Sequence, residues 1–295
     1  MSLRPLALAL ALCFSPLLTA QSPALPAPIE ELRTLIRSGN LELAIEKGES
    51  LVETRADDAL AWLWLGRAYG RQAQAAGLLS KASWAGKCRE AFETSVKLDG
   101  GNIDARWDLM QFYLQAPGFM GGGVDKAKAQ ASAIGEVNAG LGHLASAAIA
   151  QSEEEKPAAI EAHYRQALAA APRENRIRLA WSAFLTQQQQ WDELFGYWQA
   201  ELDADPGDAI AKFQYGRSAA LSGKNLELGL QYMDALLARE ALPAELILPA
   251  VHWRRGLILE KLGRRDDAVD SLKTAVSLDT QKQTEAAKDL DRIGD

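Results

Sequence analysis

The sequence predicts an all-α fold of about seven helix pairs stacked in line and closed by a C-terminal cap helix. Three observations predict it. A phase recurs every 34 residues, carried by Ile160, Leu194 and Leu228 and, in register with them, by Tyr164, Trp198 and Tyr232. Within each phase a small residue stands where two helices would cross closely. A large apolar or aromatic residue follows four later on the same face, and another small residue comes three after that. Alternating β-branched runs of useful length are missing, so an α/β fold would lack its strands. Such an array reads as a binding scaffold, and its sequence does not name the partner.

The first twenty residues stand apart. One cation, Arg4, precedes an almost wholly apolar run from Pro5 to Leu18, and Leu18-Thr19-Ala20 ends in a small residue before Gln21. This is the layout of a cleavable secretory signal over 1–20, which implies an exported, periplasmic protein with no stable membrane insertion after cleavage. The run is shorter than the roughly 20 residues of a spanning helix, which weighs against an uncleaved anchor. Leu12 is too large to precede a lipid-modified Cys13. Beyond the signal one cysteine remains, Cys88, so no intrachain disulfide can form and packing must supply the stability.

The array is expected to fill 21–295. The first unit, near 25–58, has Gly39 ending its first helix and Ala44 on its second. The second, 59–102, opens on Trp62-x-x-Leu65-Gly66-x-x-Tyr69 and closes with Cys88, Phe92 and Ser95 at the small, large and small phases. It is too long between Tyr69 and Cys88, so Gly70 to Lys87 should lengthen its helices or project as a loop. The third, 103–140, carries an insertion from Ala116 to Val124. Units four and five, 141–174 and 175–208, have none. Unit six spans 209–242, and unit seven, 249–282, shows Gly256, Gly263, Ala268, Leu272 and Ala275 in phase. The polar tail, 283–295, reads as a solubilising cap.

The tetrad Trp62, Leu65, Gly66 and Tyr69 puts three large side chains on one helical stripe and leaves a glycine where the next helix approaches. It resembles the opening signature of the tetratricopeptide repeat, and with its in-phase copies the chain is similar to that family over nearly all of its mature length. The resemblance implies a right-handed α-α superhelix with no catalysis and no cofactor. It also implies a concave groove, lined mainly by the first helix of each pair, that holds an extended or helical peptide of another protein. Inward positions of the family fall here on Leu63, Arg67 and Arg71, then on Trp107, Asp108 and Gln111. Further along they fall on Arg176, on Phe213 and Arg217, and on Trp253 and Arg254. Arginine with aromatics is the composition of interaction hot spots. Gathered inside a chain of net charge −7, these residues point to an acidic partner with apolar anchors. Long arginine stems and tryptophan rings also fill gaps between repeats. The lysine and asparagine arrangement with which some members clamp a C-terminal carboxylate is absent at these positions.

Other chemistry is sparse. With 32 basic against 39 acidic residues, nucleic acid is not the expected partner. His143, His163 and His252 lack metal-ligand spacing, and no Ser or Cys pairs with a His at a recognisable distance. Cys88 at a crossing phase is expected to be buried and inert. Glu153 to Glu155 and Gln187 to Gln190 read as polar turns. The loop Pro117-Gly118-Phe119-Met120-Gly121-Gly122-Gly123 stands out: Asp125 is placed to cap a helix beginning near Lys126. The amides of Gly121, Gly122 and Gly123 beside Lys126 offer a candidate anion nest. Val124 stands where a phosphate-binding loop has lysine, and no strand precedes, which favours a tight interhelix turn. The loop is similar to turns of exported bacterial repeat proteins, including the T-component family associated with TRAP transporters. That likeness implies a second reading, a small-ligand-binding accessory of a transport system.

Overall fold

The computed structural model describes residues 25–294. The expected signal, 1–20, lies outside the described residues. Within them stand fifteen α-helices and no strand. The described residues form two compact units that divide after Arg178.

In the first unit the hairpins are α1 (Ala27–Ser38) with α2 (Leu41–Thr54), α3 (Ala59–Ala75) with α4 (Leu78–Leu98), α5 (Ile103–Gln115) with α6 (Val124–Val137), and α7 (Ala139–Ser152) with α8 (Pro157–Ala170). Helix α2 packs on α3, α4 on α5 and α6 on α7, and α1 touches α3 as α5 touches α7. The unit boundary falls inside α9 (Asn175–Gln187). In the second unit α10 (Trp191–Ala204) packs on α11 (Ala209–Ser222), which pairs with α12 (Leu226–Leu237). Next, α13 (Leu248–Lys261) pairs with α14 (Arg265–Leu278), and α15 (Ala286–Gly294) closes the end.

Local chemistry sets these boundaries. Asp58, Asn102, Asn138 and Asp208 each accept first-turn amides of the helix they precede, satisfying donors that have no partner inside the helix. Gly39 and Gly223 end α1 and α11 in the left-handed conformation, at φ 78° and 77°. Two inter-hairpin turns share one device: Asp99 Oδ1 accepts from Gly101 N at 3.0 Å, and Asp205 Oδ1 from Gly207 N at 2.9 Å.

The crossings explain the small phases. A Cβ on Gly66 would sit 2.6 Å from the Phe92 ring, and one on Gly256 would sit 2.8 Å from Leu272 Cγ. Ala167, Ala268 and Ala275 have no exposure. Ser95 is equally buried and donates its hydroxyl to Ala59 O at 2.7 Å, tying α4 to α3. Leu65 and Tyr69 are buried as the stripe requires. Trp62 stays half-buried and gives its Nε1 hydrogen to Ala56 O at 2.9 Å.

The surplus from Gly70 to Lys87 forms no projecting loop. It lengthens α3 to 17 residues and α4 to 21, leaving only Ala76 and Gly77 between them. The insertion in the third hairpin is a short 3-10 turn, Gly118–Met120. Here the expected cap is corrected: α6 begins at Val124 with Gly123 as its N-cap, at φ 148°, and Asp125 lies in the first turn. An N-cap must have non-helical backbone, and Gly123 supplies it where Asp125 is already helical. No helix of the described residues is long and apolar enough to cross a membrane.

At the C-terminal end α15 lays Ala286 and Ile293 on Leu272 and Ala275, with Trp253, Val269 and Leu290 packed around them. Arg265 Nη2 donates to Ile293 O at 2.7 Å, and Arg292 pairs with Glu260. The last hairpin thereby covers its apolar face, which a repeat array needs at its end.

Candidate interaction surface

The first-helix residues expected to face a groove divide by their surroundings. In the first unit Leu63 is only 1% exposed. It belongs to the core and cannot meet a partner, because α3 is flanked by α1, α2 and α4. Arg67 is committed as well: its Nε donates to Asp108 Oδ2 at 2.6 Å and its guanidinium lies 4.6 Å from the centre of the Trp64 ring. Asp108 is 6% exposed; burial pushes its carboxyl above the usual range, and the Arg67 charge acts against that rise. One turn earlier on α5, Asp104 pairs with Arg176 at 2.8 Å. Gln111 accepts from Gln115 at 3.4 Å, Trp107 is half-buried and Arg71 is exposed. Two of the three arginines are thus neutralised from within. Asp104 supplies one of these counter-charges and was missed in the sequence; its signal was an acidic pair at i, i+4 on a first helix.

The second unit differs. Phe213 and Arg217 stand one turn apart on α11, and Trp253 and Arg254 stand on α13, which packs against α11. All four are half-buried. The Arg254 guanidinium lies 3.7 Å from the centre of the Trp253 ring, and Trp253 Nε1 donates to Asp289 Oδ2 of α15 at 2.7 Å. Trp253 is therefore shared between the surface and the cap. Arg217 has no ion pair or hydrogen bond among the described residues, and burial lowers its pKa. Burial also brings Arg254 down to about 10, with the Arg217 charge adding to the fall and Asp289 opposing it.

The glycine loop is filled from within. Gly121 N donates to Gly118 O at 2.9 Å, Gly122 N to Pro117 O at 3.2 Å and Gly123 N to Tyr113 O at 2.8 Å. Lys126 Nζ gives a hydrogen to Gly121 O at 2.8 Å and lies over the Tyr113 ring. The three glycine amides of the nest expected at Gly121, Gly122, Gly123 and Lys126 are therefore already bonded, to carbonyls of the loop and of α5. The positive φ values belong to Gly121 and Gly123. Gly122 is required for a different reason, because a Cβ there would stand 1.7 Å from Ala116 O.

Cys88 is buried and free, and burial followed by the nearby Asp108 charge pushes its thiol far above the reactive range. Folding brings two distant histidines together. His143 and His163 line an open cavity of about 450 Å³ among α6, α7 and α8, with Ser132 and Ser146. No cluster of three or more metal-ligating side chains exists among the described residues.

Residues 249–282 match the tetratricopeptide repeat, over the segment assigned above to the seventh unit. A crystal structure of a tetratricopeptide repeat protein from Parabacteroides merdae superposes with a TM-score of 0.51 at 14% identity, covering 91% of this chain and 98% of that one. The human IFIT1 dimer with PPP-AAAA gives a TM-score of 0.53 at 13% identity, over 90% of this chain and 62% of that one. No curated protein matches the chain in sequence. Residues 249–282 are thus a tetratricopeptide repeat, set in an all-α array of paired helices with the fold of tetratricopeptide repeat proteins.

Proposed function

We infer that the chain is a non-enzymatic scaffold that binds a peptide segment of another protein, and that it acts as an exported adaptor in the cell envelope. The observation that carries the binding reading is the set Phe213, Arg217, Trp253 and Arg254 on neighbouring first helices. Two half-buried aromatic rings and the unpaired charge of Arg217 stand there on packed helices, in a chain that is acidic overall. Such a surface favours an acidic partner with aliphatic or aromatic anchors, since charge steers the encounter and apolar contact holds it. The pattern of residues 1–20 supports export. The amides of Gly121, Gly122 and Gly123 are already bonded to carbonyls, which weighs against the transport-accessory reading.

Random peptides displayed on phage and selected on the purified protein test the binding reading. The expected result is enrichment of sequences with Asp or Glu beside Leu, Phe or Trp, and loss of their capture by Phe213→Ala. Enrichment of basic sequences, or capture indifferent to Phe213, would overturn it. Intact-mass measurement of the secreted protein tests export: a chain beginning near Gln21 is expected, and one retaining Met1 contradicts it.

A further inference from the structure

The arginines on first helices have two different fates. Arg67 meets the buried carboxylate of Asp108 at 2.6 Å, and Arg176 meets Asp104 at 2.8 Å. Arg217 meets no carboxylate among the described residues. Arg254 stacks on Trp253, and the acid whose charge acts on it, Asp289, already accepts from Trp253 and pairs with Arg292 at 3.1 Å. The second unit therefore holds two half-buried guanidiniums on helices packed against each other, where the Arg217 charge acts on Arg254, and the carboxylate beside Arg254 is shared with Trp253 and Arg292.

We propose that Arg217 and Arg254 jointly bind one carboxylate of the partner peptide, and that Phe213 takes the apolar residue beside it. This rests on the scaffold reading above. A guanidinium withdrawn from water without an acceptor is destabilised, and a second like charge nearby adds to the cost. A carboxylate between them removes both penalties at once. It accepts from two planar forks in a desolvated setting, where charge-assisted hydrogen bonds are strongest. Phe213, one turn before Arg217, shares its face of α11 and lies where the neighbouring peptide side chain would rest. The occupied site in the first unit gives the internal precedent: there the chain itself supplies Asp108 to Arg67.

The carboxylate can come from an Asp or Glu side chain or from a peptide C-terminus, and three probes separate these sources. Acetyl-Phe-Glu-amide carries only the side-chain group, acetyl-Phe-Gln with a free end carries only the terminal one, and acetyl-Phe-Gln-amide carries neither. The readout is the Nε–Hε resonances of Arg217 and Arg254 in proton–nitrogen correlation spectra, assigned with R217K and R254K. Both resonances are expected to move with at least one acidic probe and to stay in place with the neutral one. Resonances that ignore both acids, or follow all three probes equally, would overturn the proposal.

R217Q adds an independent arm. It is expected to weaken phage-selected acidic peptides by about tenfold or more, the loss of a charge-assisted hydrogen bond, while the unliganded protein melts no lower than the parent. A lower melting temperature with unchanged peptide affinity would make Arg217 a packing residue and overturn the site. Peptides that depend on Phe213 but not on Arg217 would sink this inference and leave the scaffold standing.

Discussion

Arg67 Nε donates to Asp108 Oδ2 across 2.6 Å, joining α3 to α5 through a pair whose side chains are 15% and 6% exposed. Burial raises the Asp108 carboxyl despite this partner, so the pair gains little over an apolar contact of the same shape. Removing one member is a different matter, since it strands the other. Asp108→Ala is expected to cost about 3–5 kcal/mol. The double variant Arg67→Met with Asp108→Leu should recover to near the parent or above it. Urea unfolding of the three proteins checks this; equal losses in the single and double variants would contradict it.

Tyr69 and Tyr113 repeat one contact twenty residues back. Tyr69 OH donates to Glu49 Oε1 at 2.6 Å, and Tyr113 OH donates to Glu93 Oε1 at 2.9 Å. The first bond lowers the Glu49 pKa, with Lys87 adding to the fall and desolvation opposing it. A depressed carboxylate stabilises the fold above its unfolded pKa, and that contribution is lost as pH falls through the depressed folded value. Tyr69→Phe should therefore raise the Glu49 midpoint in a carbon-detected pH titration and remove part of the acid sensitivity. An unmoved Glu49 midpoint would show that the hydroxyl does not hold it.

Ala167 and Ala268 are fully buried at crossings, and the Ala268 carbonyl lies 3.2 Å from where a Gly256 Cβ would stand. Either alanine changed to tryptophan is expected to destabilise by about 1–3 kcal/mol through overpacking. Hydrogen exchange should show the loss spreading to neighbouring hairpins, as nearest-neighbour coupling requires. Parent-like melting of both variants would refute the assigned phase.

Gly122→Ala drives a methyl into the Ala116 carbonyl, 1.7 Å from the ideal Cβ position, so the turn must open. A loss of about 1–3 kcal/mol is expected, with capture of selected peptides unchanged in the folded fraction. Should capture fail while melting is unaltered, the loop and not the α11–α13 surface would be the binding element.

The sequence by itself determined the helices and their pairing. Phase and glycine at crossings repeat at fixed intervals, so Gly66 against Phe92 and Gly256 against Leu272 could be read from spacing and side-chain size. Three matters were decided only by tertiary structure. The surplus in the second hairpin became longer helices because Gly70 to Lys87 is mostly good helix formers on either side of Ala76 and Gly77, and only packing chooses between a longer pair and a loop. The glycine loop closed on itself because its amides found carbonyls within reach, a matter of backbone geometry that residue types do not fix. The first-helix arginines divided into paired and unpaired ones because Asp108 and Asp104 reach Arg67 and Arg176 across 41 and 72 residues of chain, while nothing comparable reaches Arg217. Charge pairing over such separations depends on which side chains the folded array sets face to face, and a repeat phase carries no record of it.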